Sequence, residues 1–244
     1  MTKFAFPHVT FADCVYNYWL PGNNRTQPGT YRVIVDAELP SARSVMLLDL
    51  CGAGGFLSLS PDIAQRTGLE LDNEITTDKL FETLQRTGVE LNGADHLFYL
   101  PSAEQNRIQN EHFPATIRQL TLDDTAAFET FFSAAPKDDL DEAFVELDHW
   151  LVFGCFIEDR LVSVASMYPW KGTSFADLGV ITLPHFRGHG FGRQIVRAIS
   201  AQALKQGFEP QYRCQQNNIS SIRLAEASGF SLFANWDVIK LDED

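Results

Sequence analysis

The chain has 244 residues, 45% of them hydrophobic and 12% aromatic, enough to build a large core without covalent staples. A formal net charge of −13 repels phosphate backbones, so nucleic acid is not an expected partner. Cys14, Cys51, Cys155 and Cys214 are scattered with no C-x-x-C pair, which argues against a zinc ribbon or a disulfide framework and for a reducing, cytoplasmic setting.

No basic stretch followed by an apolar run opens the sequence, and no window approaches about 18 uninterrupted apolar residues, so neither a secretory signal nor a membrane span is expected. Residues 1–112 read as one α/β unit. Strands are expected at Tyr31–Val35, Ser44–Leu50 and Phe56–Ser60, with Gly52-Ala53-Gly54-Gly55 turning the chain between the last two. Pro61-Asp62 starts a short helix, and Thr77–Thr87 fits another with Leu80, Phe81 and Leu84 on one face. His96–Leu100 reads as a strand and residues 102–113 as a polar helix, with a boundary near Pro114.

Residues 115–244 restart the pattern. Thr116–Leu120 is a strand, Thr121-x-x-Asp124 is a loose capping box, and Ala127, Phe128, Phe131 and Phe132 form a helical stripe. An acidic helix over Asp138–Leu147 leads into the apolar run Trp150–Ile157, the pattern of a strand buried on both faces. Glu158-Asp159-Arg160 turns into Leu161–Met167, and Phe175–Thr182 is the next strand. Ile195, Val196, Ile199 and Ala203 mark a helix stopped by Gly207. The strand Pro210–Cys214, a helix from Ser220 to Ser228 closed by Gly229, and a strand over Phe230–Ile239 complete the order.

Between the Phe175–Thr182 strand and its helix lies Arg187-Gly188-His189-Gly190-Phe191-Gly192-Arg193. Alternating glycines at such a turn let main-chain N–H groups approach a phosphate, and the helix N-terminus adds partial positive charge. Arg187, Arg193 and Arg197 form a local basic group in an acidic chain. The stretch lacks the Gly-Lys-Ser/Thr of a P-loop and the downstream acidic residue of a dinucleotide site. A tight strand–helix connection without a ligand is the plain alternative.

The element order, Arg187-Gly188-His189-Gly190-Phe191-Gly192, and Asn218-x-x-Ser221 followed by Gly229-Phe230 together resemble the GNAT superfamily of acyl-CoA-dependent N-acyltransferases. The likeness covers about 115–240, and Ala176–Val180 with Pro210-x-Tyr212 looks most like members with an extra N-terminal domain. It implies an α+β fold, with a mixed, mostly antiparallel sheet and flanking helices, preceded here by a smaller α/β domain. It also implies that acetyl-CoA sits between the strands at 175–183 and 210–214, its pyrophosphate on residues 188–193 and beside Arg187. The pantetheine arm would run along the main chain of Ile181, Thr182 and Leu183, with Asn218 and Ser221 on the lower arm. A primary amine, free or part of a larger molecule, would attack the thioester directly, and no metal is expected.

Direct attack needs a base. Asp177 is the first candidate, near where some members carry a catalytic glutamate; a carboxylate that fixes neighbouring strands is the alternative. Glu146, Asp148 and His149 follow as second choices. Spacing from Asn218 puts Ala225 where many members carry an acidic tyrosine, leaving Tyr212, Tyr168, Cys214 or water for the leaving thiolate. His185 and His189 are expected to face solvent or phosphate. Ala225 also motivates a second reading, an acyl-CoA-binding module without turnover.

Leu47–Gly55 resembles the first motif of S-adenosylmethionine methyltransferases, with Glu70 or Asp72 near the ribose-binding distance, but Phe56–Ser60 alternates like a strand where a helix should start. Three roles stay open for residues 1–112: roofing the acceptor pocket, forming a homodimer contact, or being a diverged copy of the second half.

Overall fold

The computed structural model describes residues 9–20, 26–170 and 172–241. Among them, eleven strands form one sheet: β1 (Thr30–Val35), β2 (Val45–Asp49), β3 (Gly55–Leu59), β4 (Glu74–Thr76), β5 (Asp95–Tyr99), β6 (Ile117–Gln119), β7 (Leu151–Ile157), β8 (Arg160–Pro169), β9 (Phe175–Thr182), β10 (Glu209–Gln215) and β11 (Ser231–Val238). Their order is β4-β1-β3-β2-β11-β5-β10-β9-β8-β7-β6. Pairing is antiparallel except for β1 with β3 and β9 with β10. The mixed, largely antiparallel sheet matches the expected class.

The helices are α1 (Asp13–Trp19), α2 (Pro61–Thr67), α3 (Thr77–Arg86), α4 (Ser102–Gln109), α5 (Thr125–Ala134), α6 (Lys137–Ala143), α7 (Phe191–Lys205) and α8 (Ile219–Ala227). The stripe of α7 buries Ile195, Val196 and Ile199 against Ala165, Met167 and Leu178 of β8 and β9. Each such side chain contributes roughly 1.5–3 kcal/mol of burial. On the other sheet face, Phe128 and Phe131 of α5 pack on Val152, Val164 and Ile181. Alternation along β8 sorts Val164 from Ala165 and so builds a core on each side of the sheet.

Local signals set several boundaries. Thr121 and Asp124 form the reciprocal cap ahead of α5. Glu158 (φ +49°) and Asp159 (φ +62°) make a tight hairpin turn of the left-handed kind that suits strand twist. Gly229, at φ +97°, follows the end of α8. The acidic helix is shorter than expected: Phe144 adopts a left-handed conformation (φ +44°) and ends α6 at Ala143, so Val145 turns into the core with α5. The Gly52–Gly55 stretch joins β2 to its antiparallel neighbour β3, which is a hairpin and not the strand-to-helix turn of a methyltransferase motif.

Strand β5 lies between β10 and β11, pairing antiparallel with both. Hydrogen bonding therefore runs across the sequence boundary at 112/115, and α1 packs Trp19 against Tyr99, Phe175 and Trp236 in a shared core.

Candidate active site

Strands β9 and β10 pair only from Phe175↔Glu209 to Leu178↔Tyr212. Beyond that point β9 stays with β8, β10 stays with β5, and the two separate. The gap is a cleft of about 950 Å³ walled by Leu178–Thr182 and Tyr212–Gln215, with the 187–193 loop at one end and Asn218 and Ser221 beside it.

Main-chain direction on the β9 wall follows from its pairing. Leu183 N–H donates to Val162 O at 3.0 Å, so by alternation Ile181 also turns its N–H and C=O toward β8. Val180 and Thr182 face the gap instead. Of the three residues expected to present open main chain, Thr182 does, and Val180 joins it. The Thr182 carbonyl accepts from Arg187 Nε at 3.0 Å, which leaves its N–H and both groups of Val180 on the open edge.

At the loop, Gly188 (φ +77°) and Gly190 (φ +84°) take left-handed conformations, and a Cβ added at Gly188 meets nothing within 4 Å. Gly190 caps α7, whose first turn leaves the N–H groups of Phe191, Gly192 and Arg193 without intrahelical acceptors. These donors point out of a helix 15 residues long. Unpaired N–H groups at a helix start favour an anion.

The basic group expected around it is partly dispersed. Arg187 is ion-paired with Asp139 of α6. Arg197 is only 5% exposed and sits away from the cleft. It donates to Glu104 and Ser228 O, each at 2.8 Å, and to Glu111, so it fastens α7 to α4. Arg193 and Arg223 line the cleft without an ion pair among the described residues. His189 donates from Nδ1 to Arg187 O (2.9 Å) and stacks on Phe191, while His185 is exposed.

Asn218 Oδ1 accepts from Ser221 N–H at 3.0 Å, capping α8, and its Nδ2 donates to Glu142 at 3.0 Å. Ser221 Oγ lies 2.9 Å from Tyr212 Oη. Burial pushes the Tyr212 phenol well above its ordinary range, so giving its proton to a thiolate of ordinary pKa (about 8.5) is uphill. Burial likewise raises the Cys214 thiol to about 11 and the Tyr168 phenol to about 12. Ala225, on the buried side of α8, is fully enclosed and contributes no polar group.

Asp177 is 6% exposed and already serves four side-chain N–H or O–H donors. Tyr168 Oη donates at 3.0 Å, Gln211 Nε2 at 3.2 Å, and Arg213 through Nε (3.0 Å) and Nη2 (2.6 Å). Arg213 Nη1 reaches Asp95 at 3.2 Å. Gln211 in turn accepts from Tyr99, whose oxygen takes the Trp19 indole N–H at 2.7 Å. This bonding fits the strand-fixing alternative for Asp177.

Among the second choices, His149 is held at Nδ1 by Ser166 Oγ (2.9 Å) with Glu146 3.8 Å from Nε2. Burial lowers its pKa, and its ring packs on Phe144 and Tyr168. Asp148 is exposed. The end of α6 presses on the sheet here: a Cβ on Gly179 would lie 1.9 Å from Ala143 O.

Asp95, Gln211 and Arg213 escaped the sequence reading. Gln211-x-Arg213 alternates within an expected strand and so shares one face, a usable signal. The approach of Asp95 depends on the non-local pairing Asp95↔Gln215, which no local pattern announces.

Residues 117–230 match the family model described as Acetyltransferase (GNAT) family. No curated protein matches the sequence. Among solved structures, a GNAT-family acetyltransferase from Colwellia psychrerythraea is 15% identical, with 76% of each chain covered and a TM-score of 0.51. A protein assigned to the GNAT family from Novosphingobium aromaticivorans is 20% identical (TM-score 0.45), covering 62% of this chain and 66% of that one, just under two thirds of its length. An aminoglycoside N-acetyltransferase in complex with CoA is also 20% identical (TM-score 0.40), covering 52% and 98%. At 15% identity the likeness to the Colwellia structure concerns the fold alone.

Proposed function

We propose that the protein transfers an acetyl group from acetyl-CoA to a primary amine by direct attack. The carrying observation is the parting of β9 and β10 after Leu178 and Tyr212, which leaves an open strand edge that leads into a glycine-rich helix N-terminus. An extended amide-bearing arm fits that edge as an added strand, and a diphosphate fits the N–H cradle at its end.

In this reading the N–H groups of 188–193 hold the pyrophosphate, with Arg193 beside it and Arg187 exchanging Asp139 for a phosphate oxygen. Val180 and Thr182 pair with the pantetheine amides, and a β9 N–H facing the gap stabilises the charge that develops on the thioester oxygen. Asn218 orients α8 and Ser221 its hydroxyl toward the arm. The amine lone pair forms the C–N bond as the C–S bond breaks. Asp177 is a positioning residue that fixes Arg213 at the floor of the cleft. The thiolate takes its proton from solvent in the cleft, since Tyr212 is too weak an acid for the task.

The burial of Ala225 favours one other reading, a module that binds acyl-CoA and does not turn it over. One experiment separates the two: acetyl-CoA is mixed with a panel of primary amines while free thiol is followed, and CoA binding is measured by calorimetry. Amine-dependent thiol release supports transfer. Binding without release across the panel supports the module, and no binding removes both readings. The described residues contain no helix long and apolar enough to cross a membrane.

A further inference from the structure

Four carboxylates line the cleft: Asp95, Asp139, Asp141 and Glu142. The last three stand on α6 and are engaged there. Asp139 pairs with Arg187, Glu142 accepts from Asn218, and Asp141 lies 3.8 Å from Lys137. Asp177 is saturated with donors and nearly sealed. Asp95 differs from all of them. Among the described residues it has one ion-pair partner, Arg213 Nη1 at 3.2 Å, and its side chain remains 27% exposed on the cleft.

The sheet register aims it at the reacting end. Residues directly opposite on neighbouring strands share a face, and every second residue returns to it. The pairs Gln211↔Asp177, Gln211↔Tyr99 and Gln215↔Asp95 therefore put Asp177, Arg213 and Asp95 on one face of β9, β10 and β5. Asp177 and Arg213 flank the point where β9 and β10 begin to part, and Asp95, opposite Gln215 farther along β10, is reached from there by Arg213 Nη1 at 3.2 Å. Arg213 gives Asp177 two of its nitrogens, so that pair is internally neutral and Asp95 carries the surplus negative charge.

Resting on the acetyl-transfer reading, we propose that Asp95, on a strand supplied by the N-terminal segment, takes the proton from the acceptor amine. An ammonium is drawn to the surplus charge and loses one proton to the Asp95 carboxylate. The free lone pair then bonds to the thioester carbon, the C–S bond breaks, and the second N–H proton leaves through solvent to the departing sulfur. Asp95 returns its proton to solvent after product leaves. The N-terminal segment thus completes the active site, because Asp177, the other carboxylate at the floor of the cleft, is nearly sealed and held by Arg213.

The environment suits the role. Burial raises the proton affinity of Asp95 above that of an ordinary aspartate, and Asp177 raises it further, while Arg213 and His96 lower it. Asp237 of β11 and Cys214 of β10 are its other titratable neighbours.

The test uses the full chain, acetyl-CoA and the most active amine of a primary-amine panel, with kcat/KM followed against pH. Asp95→Asn should lower kcat/KM by about 10²–10⁴-fold and abolish the acid limb, with CoA affinity within twofold of wild type. Asp95→Glu should recover part of the rate. Asp177→Asn should keep the limb but move it to lower pH, because Arg213 then acts on Asp95 alone. An Asp95→Asn enzyme within threefold of wild type with its limb intact overturns the proposal, as does a limb lost in Asp177→Asn and kept in Asp95→Asn. Wild-type protein that binds CoA yet releases no thiol with any amine removes the transfer reading and this base with it.

Discussion

Replacing Arg213 by methionine is the most informative single perturbation of the polar floor. Arg213 spans two carboxylates, and the Asp177 side chain is only 8% exposed. Removing the cation from a buried pair costs about 3–5 kcal/mol, because a charge is left in a poor solvent. Tyr168 and Gln211 still donate to Asp177, which places the expected loss near the lower end, about 3 kcal/mol. For a chain of this size that corresponds to a fall in Tm of about 6–12 °C. Thermal unfolding followed by circular dichroism at pH 7.5 would read it. Adding Asp177→Asn to Arg213→Met should recover much of the loss, since the stranded charge is then gone. A single variant within about 2 °C of wild type, or a double variant no better than the single, would refute the view that the pair is a mutually dependent buried unit.

Other substitutions separate the loop from its scaffold. Gly190→Val forces a β-branched residue to φ +84° and puts a side chain where the diphosphate should lie. It should abolish calorimetric CoA binding at a stability cost of about 1–3 kcal/mol. Arg197→Leu should do the reverse, lowering Tm by breaking the links to Glu104 and Glu111 while CoA affinity stays within twofold. A large loss of affinity in Arg197→Leu would return that residue to the anion site. Glu209, buried on β10 against Gln105, has its carboxyl pushed up by burial to about 8. Its folded-state pKa lies above the ordinary value, so its contribution is fully present below about pH 4.5 and is lost as pH rises through 8. Glu209→Gln should flatten that decline in urea titrations between pH 5 and 9 and be the more stable form at pH 9; parallel curves would contradict this.

What was legible in the sequence was what local chemistry encodes. Glycines at 188, 190 and 192, the helical stripe of Ile195, Val196 and Ile199, and the Asn218-x-x-Ser221 motif all act within a few residues of themselves. They placed β9, α7, β10 and α8 within one or two residues of their positions. Arg197 misled because it follows Arg193 by one helical turn and shares its side of α7 in a helical projection. Only tertiary packing reveals that Glu104 of α4 and Glu111 just beyond it cover that turn. The insertion of β5 between β10 and β11 was equally hidden, since a strand's period tells which residues share a face and nothing about which strand it will join. Asp95, one residue before the expected strand His96–Leu100, thus carried no local mark, and the share of the cleft owed to residues before 112 could not be seen.

The central claim is that the main-chain donors of 188–193 bind a diphosphate at the end of the open β9 edge. Hydrogen–deuterium exchange of the wild-type protein with and without CoA tests it most directly. Slowed exchange of the amides over 188–193, joined by Val180 and Thr182, is the predicted result. Unchanged exchange across both stretches under saturating CoA would contradict it.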